Sequence, residues 1–91
     1  MWRLGRSDTF VRTARRLLRR DPKVVPRLAA ALERLEADPH DPRLRLHRLH
    51  GPLAGLWSVR VTYRVRLILT VEEERHEIIL LDIGTHDEVY D

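Results

Sequence analysis

The chain has 91 residues, no cysteine, and seventeen Lys/Arg against fourteen Asp/Glu. At that length it is expected to form one domain burying roughly 60% of the surface its unfolded chain exposes. The missing cysteines exclude a disulfide scaffold, a Cys-ligated zinc module and a thiol nucleophile. Apolar runs are only a few residues long, so no membrane span or signal-peptide core is expected, and the cytoplasm is the expected compartment.

The placement of charge says more than the net +3. Residues 1–66 hold sixteen of the seventeen basic side chains and six acidic ones, a net of +10. Residues 67–91 hold one Arg and eight carboxylates, a net of −7. All the basic residues but Lys23 are Arg, the side chain suited to bidentate phosphate contact. A basic, arginine-rich domain has the footprint of a nucleic-acid binder. A genome that writes Arg for every exposed cation accounts for the same composition.

In chain order, Trp2 to Arg6 reads as a short strand, weakened by Gly5. Ser7 or Asp8 then caps a helix. Phe10, Val11, Ala14, Leu17 and Leu18 form its apolar stripe, with Arg12, Arg15, Arg16, Arg19 and Arg20 opposite. Asp21-Pro22 opens a second helix, which either kinks at Pro26 or begins near it, because proline removes a backbone donor. Leu28, Leu32 and Leu35, with Ala29 and Ala31 alongside, supply its buried stripe, and Asp38-Pro39 stops it. Residues 39–55 are expected to be mostly irregular and pinned by Leu44, Leu46, Leu49 and Leu53.

From Trp57 the period becomes two. Odd positions from Trp57 to Val71 are apolar and even ones polar, Ile68 excepted, which describes a sheet with one wet face. A two-residue turn near Thr62 would mix those faces. The three-residue turn Thr62-Tyr63-Arg64 sets Val61 opposite Val65 and Val59 opposite Leu67, so it is the one expected. It places Arg60 beside Arg66, with Arg64 at the rim. Like charges facing each other destabilise a sheet, which suggests an anionic ligand. Glu72 to Arg75 form a second, charged hairpin. His76 to Ile83 is the last strand, expected to be central, covered on both faces through Ile78-Ile79-Leu80-Leu81, and ended by Gly84. The tail from Thr85 is expected to fold back beside the sheet.

Three passages in this order resemble the RelE/ParE toxin superfamily. They are Leu46-His47-Arg48-Leu49-His50-Gly51 with Gly55-Leu56-Trp57-Ser58-Val59-Arg60-Val61, then Tyr63-Arg64 before an apolar strand, then Ile83-Gly84-Thr85-His86-Asp87-Glu88-Val89-Tyr90. The last is similar to the terminal motif of the YafQ branch. The resemblance covers essentially the whole chain and is most specific after residue 46. It implies an α+β fold: an N-terminal strand and two antiparallel helices packed on a mainly antiparallel, twisted sheet of three or four strands. It also implies a type II toxin, a metal-independent endoribonuclease cutting mRNA on the ribosome, with a cognate antitoxin as partner and no cofactor or membrane. His47, His86 and Tyr90 match the family's site positions. Arg60 stands where the YafQ branch has a histidine, and Arg64 looks like the arginine of the RelE branch, so the site is a hybrid.

Cutting RNA without a metal needs a base for the 2′-OH, an acid for the departing 5′-oxygen, and cations for the charged phosphorane. Histidine serves either proton-transfer role because its unperturbed pKa is about 6.5. His47 and His86 are therefore the expected acid–base pair, Arg60 and Arg64 the phosphate clamp, and Tyr90 a base-stacking or proton-transfer residue. Arg66, Arg48, Arg45 and His50 are expected to bind RNA around them. Only the arginines of residues 60–66 are expected to lie beside the histidines, Tyr63 is expected to pack, and His40 and His76 to be surface residues. His47 and His50 are spaced for a metal, but no carboxylate nearby completes a set, so none is assigned. A ParE-like DNA gyrase inhibitor and a non-catalytic interaction module are the competing readings, since neither requires an acid–base pair.

Overall fold

Ser7 determines where the first helix starts. Its hydroxyl accepts the Phe10 amide at 3.0 Å and donates to the Leu81 carbonyl at 2.9 Å, tying the cap to the sheet. The computed structural model describes residues 1–90. In it β1 spans Arg3–Arg6 and α1 spans Asp8–Arg20, with Phe10, Ala14 and Leu17 buried and Val11 and Leu18 packed at the margin. The second helix, α2, spans Val24–Ala37. Pro26 thus falls in its first turn, where backbone amides lack intrahelical partners and a missing donor costs little. Val24 joins Leu28, Ala31 and Leu35 on the buried face, while Ala29 is exposed and Leu32 half-buried.

Residues 39–56 hold two short 3₁₀ turns, Pro42–Leu44 and Gly51–Leu53, on either side of the two-residue strand β2, His47–Arg48. Leu44 is fully buried, and Leu46, Leu49 and Leu53 are partly so. Then come β3 (Trp57–Arg60), β4 (Val65–Glu72), β5 (Glu77–Thr85) and the short helix α3 (His86–Tyr90). The sheet order is β1-β5-β4-β3-β2, antiparallel except for the parallel pair β1–β5. The α+β class is as read from sequence, with five strands where three or four were expected. Two residues are too few to show an alternation, so β2 leaves no pattern in the sequence.

The β3–β4 turn has the expected length. The Val61 amide donates to the Val65 carbonyl at 2.9 Å, Val59 pairs with Leu67, and Arg60 pairs with Arg66. Thr62 Oγ1 accepts the Arg64 and Val65 amides at 3.2 and 3.0 Å and so shapes the loop. Odd positions Val59, Val61, Val65, Leu67 and Leu69 are buried together with the α1 and α2 stripes. The unbroken run Ile78-Ile79-Leu80-Leu81 has a different cause from the one expected. A bulge sets Leu69 opposite Leu80 but Ile68 opposite Asp82, so the buried positions of β5 step from Ile78 and Leu80 to Ile83. β5 is central in the sheet, yet Ile79 is 40% exposed, because one face is uncovered at that end. Gly84 does not end the strand, which continues to Thr85.

The face read as wet is dry in the middle. Ser58 and Ile68, both even-numbered, are buried, because the tail folds over them as α3. Gly84 makes this possible: a Cβ there would lie 3.0 Å from Glu88 Oε1 and 3.2 Å from Glu88 Cβ. A short helix covering one end of an otherwise open sheet face leaves a concave margin, and the candidate site lies there.

Candidate functional site

Strand register brings the site together. His47 of β2 pairs with Ser58 of β3, and Arg60 of β3 pairs with Arg66 of β4, which in turn pairs with Gly84 of β5. These positions share the face on which α3 lies. Tyr90 donates its hydroxyl to Ser58 Oγ at 2.9 Å. The His86 ring meets the Tyr90 ring edge-on at 4.3 Å. His47 and His86, 39 positions apart in sequence, thereby border one cleft of about 410 Å³ that also takes in Arg48, His50, Arg66 and Tyr90. Two hollows adjoin it: one of about 380 Å³ bordered by Arg60, Arg64, Arg66 and His86, another of about 450 Å³ bordered by Arg45, His47, Arg60 and Arg66. Arg66 borders all three.

The side chains are held in distinct ways. His47 Nδ1 lies 3.1 Å from the carbonyl oxygen of Arg45, a residue in the left-handed region at φ 52°. A carbonyl only accepts, so Nδ1 carries the hydrogen, and in the neutral tautomer the lone pair is on Nε2. Arg66 Nη1 donates to the Thr62 and Tyr63 carbonyls at 3.0 and 2.9 Å, which braces it against the loop. Arg60 stacks its guanidinium 5.6 Å from the Tyr63 ring centre, and its Nε is buried without a hydrogen-bond partner among the described residues. Arg48 lies 5.1 Å from the Trp57 ring centre.

His86 is placed by its helix. Thr85 and Glu88 form a capping box: Glu88 Oε1 accepts the Thr85 amide at 2.9 Å, and Thr85 Oγ1 accepts the Glu88 amide at 3.4 Å. Arg20, the last residue of α1, donates to Glu88 Oε2 at 3.4 Å. The Thr85 amide is the main reason the Glu88 carboxyl is held below the usual glutamate range, with Arg20 adding to it.

Five arginines border these hollows, and the one carboxylate among the bordering residues is Asp87. Such a surface suits a polyanion, and two imidazoles on its rim suit proton transfer. Among the described residues, no group of three or more His, Cys, Asp and Glu side chains is arranged to hold a metal ion.

Every residue singled out from the sequence borders these hollows. The expectation that only the arginines of residues 60–66 flank the histidines is overturned, because Arg45 and Arg48 do so as well. Tyr63, expected to pack, is 80% exposed: it sits at the tip of the turn, where parity no longer decides facing. Tyr90, expected to stack on a base or move a proton, has its hydroxyl bonded to Ser58. Ser58 and Glu88 were not anticipated. The Thr-x-x-Glu spacing of the capping box was a readable signal for Glu88, whereas nothing local marked Ser58 as buried.

No protein-family model and no curated protein matches the chain. Solved structures do. YafQ from E. coli strain BL21(DE3) superposes with a TM-score of 0.82 at 16% identity, covering 100% of both chains. A copper-bound mutant toxin from Helicobacter pylori does so with a TM-score of 0.73 at 26% identity, covering 99% of this chain and 100% of that one. A YoeB/ParE toxin from Agrobacterium tumefaciens gives a TM-score of 0.77 at 19% identity, covering 92% and 98%. YafQ has also been solved in the E. coli DinJ-YafQ toxin-antitoxin complex, and in that form matches with a TM-score of 0.80 at 18% identity over 100% of both chains. The chain therefore has the YafQ-like fold of the RelE/ParE toxin superfamily.

Proposed function

From the fold shared with these toxins, we propose that the chain is the toxin of a type II toxin–antitoxin pair. It acts in the cytoplasm as a ribosome-dependent, metal-independent mRNA endoribonuclease. The observation that carries this reading is the meeting of His47 and His86 on one arginine-bordered cleft. One imidazole takes the proton of the 2′-OH, whose oxygen attacks the adjacent phosphorus. The other donates a proton to the departing 5′-oxygen, leaving a 2′,3′-cyclic phosphate on the upstream fragment. The free Nε2 of His47 makes it the better placed base, and His86 is then the acid. Arg60, Arg64 and Arg66 neutralise the phosphorane, and Arg45, Arg48 and His50 hold flanking phosphates. Tyr90 offers its ring to a neighbouring base.

Primer extension on messages carried by translating ribosomes tests this reading directly. Wild-type protein should cut within the message, and His47→Ala and His86→Ala should each lose most of the activity. A chain that leaves message intact but blocks DNA supercoiling by gyrase would be a ParE-like inhibitor instead.

The partner follows from the same surface and from the DinJ–YafQ precedent. A cognate antitoxin would cover the cleft with an acidic or apolar segment that orders on binding. Charge reversal at Arg60, Arg64 and Arg66 should then weaken neutralisation, and indifference to it would argue against occlusion of this cleft.

A further inference from the structure

His86 has almost nothing of its own to hold it. Its side chain is 69% exposed and makes no hydrogen bond among the described residues, Asp87 Oδ1 lying at 3.7 Å, beyond hydrogen-bond distance. Its position over the cleft is inherited from α3, a helix of five residues, too short to persist by backbone bonding alone. Something outside the helix must fix it, and three contacts do so.

Two of the three converge on Glu88. One carboxylate oxygen closes the capping box on the Thr85 amide at 2.9 Å, which fixes the residue before His86. The other meets Arg20 at 3.4 Å and anchors the helix to the end of α1. The third is the Tyr90 hydroxyl on buried Ser58 at 2.9 Å, which holds the far end. Gly84 lets Glu88 come down onto the strand, since a Cβ there would leave only 3.0 Å to Oε1.

We infer that Glu88 is the positioning residue for His86: its carboxylate clasps α3 to Thr85 and Arg20 and so sets the imidazole against the cleft. The inference rests on the nuclease reading for its catalytic consequence but not for its structural one. Glu88 borders none of the hollows at which the two histidines meet the arginines, so it works through His86 and not on the substrate. Because Gln also closes a capping box, the amide variant should preserve most of the clasp while losing the ion pair with Arg20.

The experiment compares wild type, Glu88→Gln, Glu88→Ala and His86→Ala as full-length chains in two measurements. The first is single-turnover cleavage of ribosome-bound message as a function of toxin concentration. Displacing a catalytic group by about 1 Å costs on the order of 10²-fold in rate. Glu88→Ala is therefore expected to lower the maximal rate by about 10- to 100-fold while leaving the half-saturating concentration within about twofold of wild type. Glu88→Gln should stay within about threefold of wild type in both parameters. The second measurement is the nuclear Overhauser contact between the His86 and Tyr90 rings, expected in wild type and Glu88→Gln and lost in Glu88→Ala. A Glu88→Ala protein that keeps both the ring contact and the wild-type rate overturns the inference. So does one whose defect lies wholly in half-saturation. A wild type that never cleaves removes the nuclease reading instead, and the ring contact alone then decides the clasp.

Discussion

Arg60 and Arg66 stand directly opposite each other on adjacent strands, on the face that α3 partly covers. Neither belongs to any ion pair among the described residues, whose salt bridges involve other arginines and two histidines. Arg66 is braced by two loop carbonyls, but Arg60 has a buried Nε with no hydrogen-bond partner among the described residues. A fold under selection for stability alone would not place two cations this way. A polyanion seated between them would relieve the repulsion.

Replacing Arg60 should therefore separate stability from activity. Arg60→Gln removes one of two facing cations and should raise unfolding stability by about 0.5 kcal/mol in a urea titration. The same change should slow cleavage of ribosome-bound message on the order of 10²-fold, because a donor to the developing charge is lost. A variant that is less stable and fully active would show that Arg60 serves the sheet.

His47 is exposed, and among the described residues its side chain makes one hydrogen bond, to the Arg45 carbonyl two residues before it. His47→Ala should leave stability within about 0.5 kcal/mol of wild type, as exposed substitutions usually do. Cleavage should fall by about 10²- to 10⁴-fold, the span expected of a lost general acid or base. Thermal melts run beside the cleavage assay read both effects on the same samples.

Tyr90 and Ser58 are mutually dependent. Tyr90→Phe leaves the buried Ser58 hydroxyl unpaired and should cost about 1 kcal/mol. Ser58→Ala should cost a similar amount, and the double variant less than the sum, because each single change removes the same bond. With its hydroxyl held by Ser58, Tyr90 contributes its ring. Tyr90→Phe should accordingly keep cleavage within about threefold, whereas Tyr90→Ala should lose far more. A large rate loss in Tyr90→Phe with the ring contact to His86 intact would return the hydroxyl to the chemistry.

Long periodic segments were readable from the sequence, and so was the parity argument that fixed the β3–β4 turn. The stripe Phe10, Ala14, Leu17 and the alternation Val59, Val61, Val65, Leu67 each report a buried face directly, because burial is periodic along a regular element. The pairing of Arg60 with Arg66 followed from turn length alone. What the sequence hid is tertiary. Ser58 is polar in the polar phase of a strand, and only the return of the tail makes it a buried acceptor. The bulge at Leu80–Asp82 breaks the phase of β5, and in sequence such a break looks the same as two-sided burial. Tyr63 keeps the apolar parity but sits in a loop, where parity carries no meaning. Arg45 and Arg48 reached the site because two residues of β2 pair with β3, a contact too short to leave a pattern.

A side chain at Gly84 should fit only if Glu88 and Val89 give way by a few tenths of an ångström. An alanine Cβ would crowd Glu88 Oε1, Glu88 Cβ and Val89 Cγ1 at 3.0, 3.2 and 3.3 Å. The strand continues through this position in extended conformation, so the effect is one of space and not of backbone strain. Gly84→Ala should cost about 1–3 kcal/mol if α3 stays down, or less if it lifts. Loss of the tyrosine–serine bond, read from the Tyr90 ring resonances, distinguishes the two responses.

Acid should release α3 before it affects the loop at Asp41. The folded-state pKa of Glu88 is depressed, chiefly by the Thr85 amide, so its contribution to stability is complete above the unfolded glutamate value of about 4.3. That contribution is lost as the pH falls through the lower folded value. Asp41 obeys the same sign but is held at about 2 by the Arg43 side chain and amide, so its loop persists to stronger acid. Tyr90 ring shifts followed from pH 7 downward should stay constant down to the unfolded glutamate range and move toward the unfolded value only as the pH falls below it. In Glu88→Gln the same region should show no such transition, because the amide does not titrate. A transition that persists unchanged in Glu88→Gln would assign the acid response to another group.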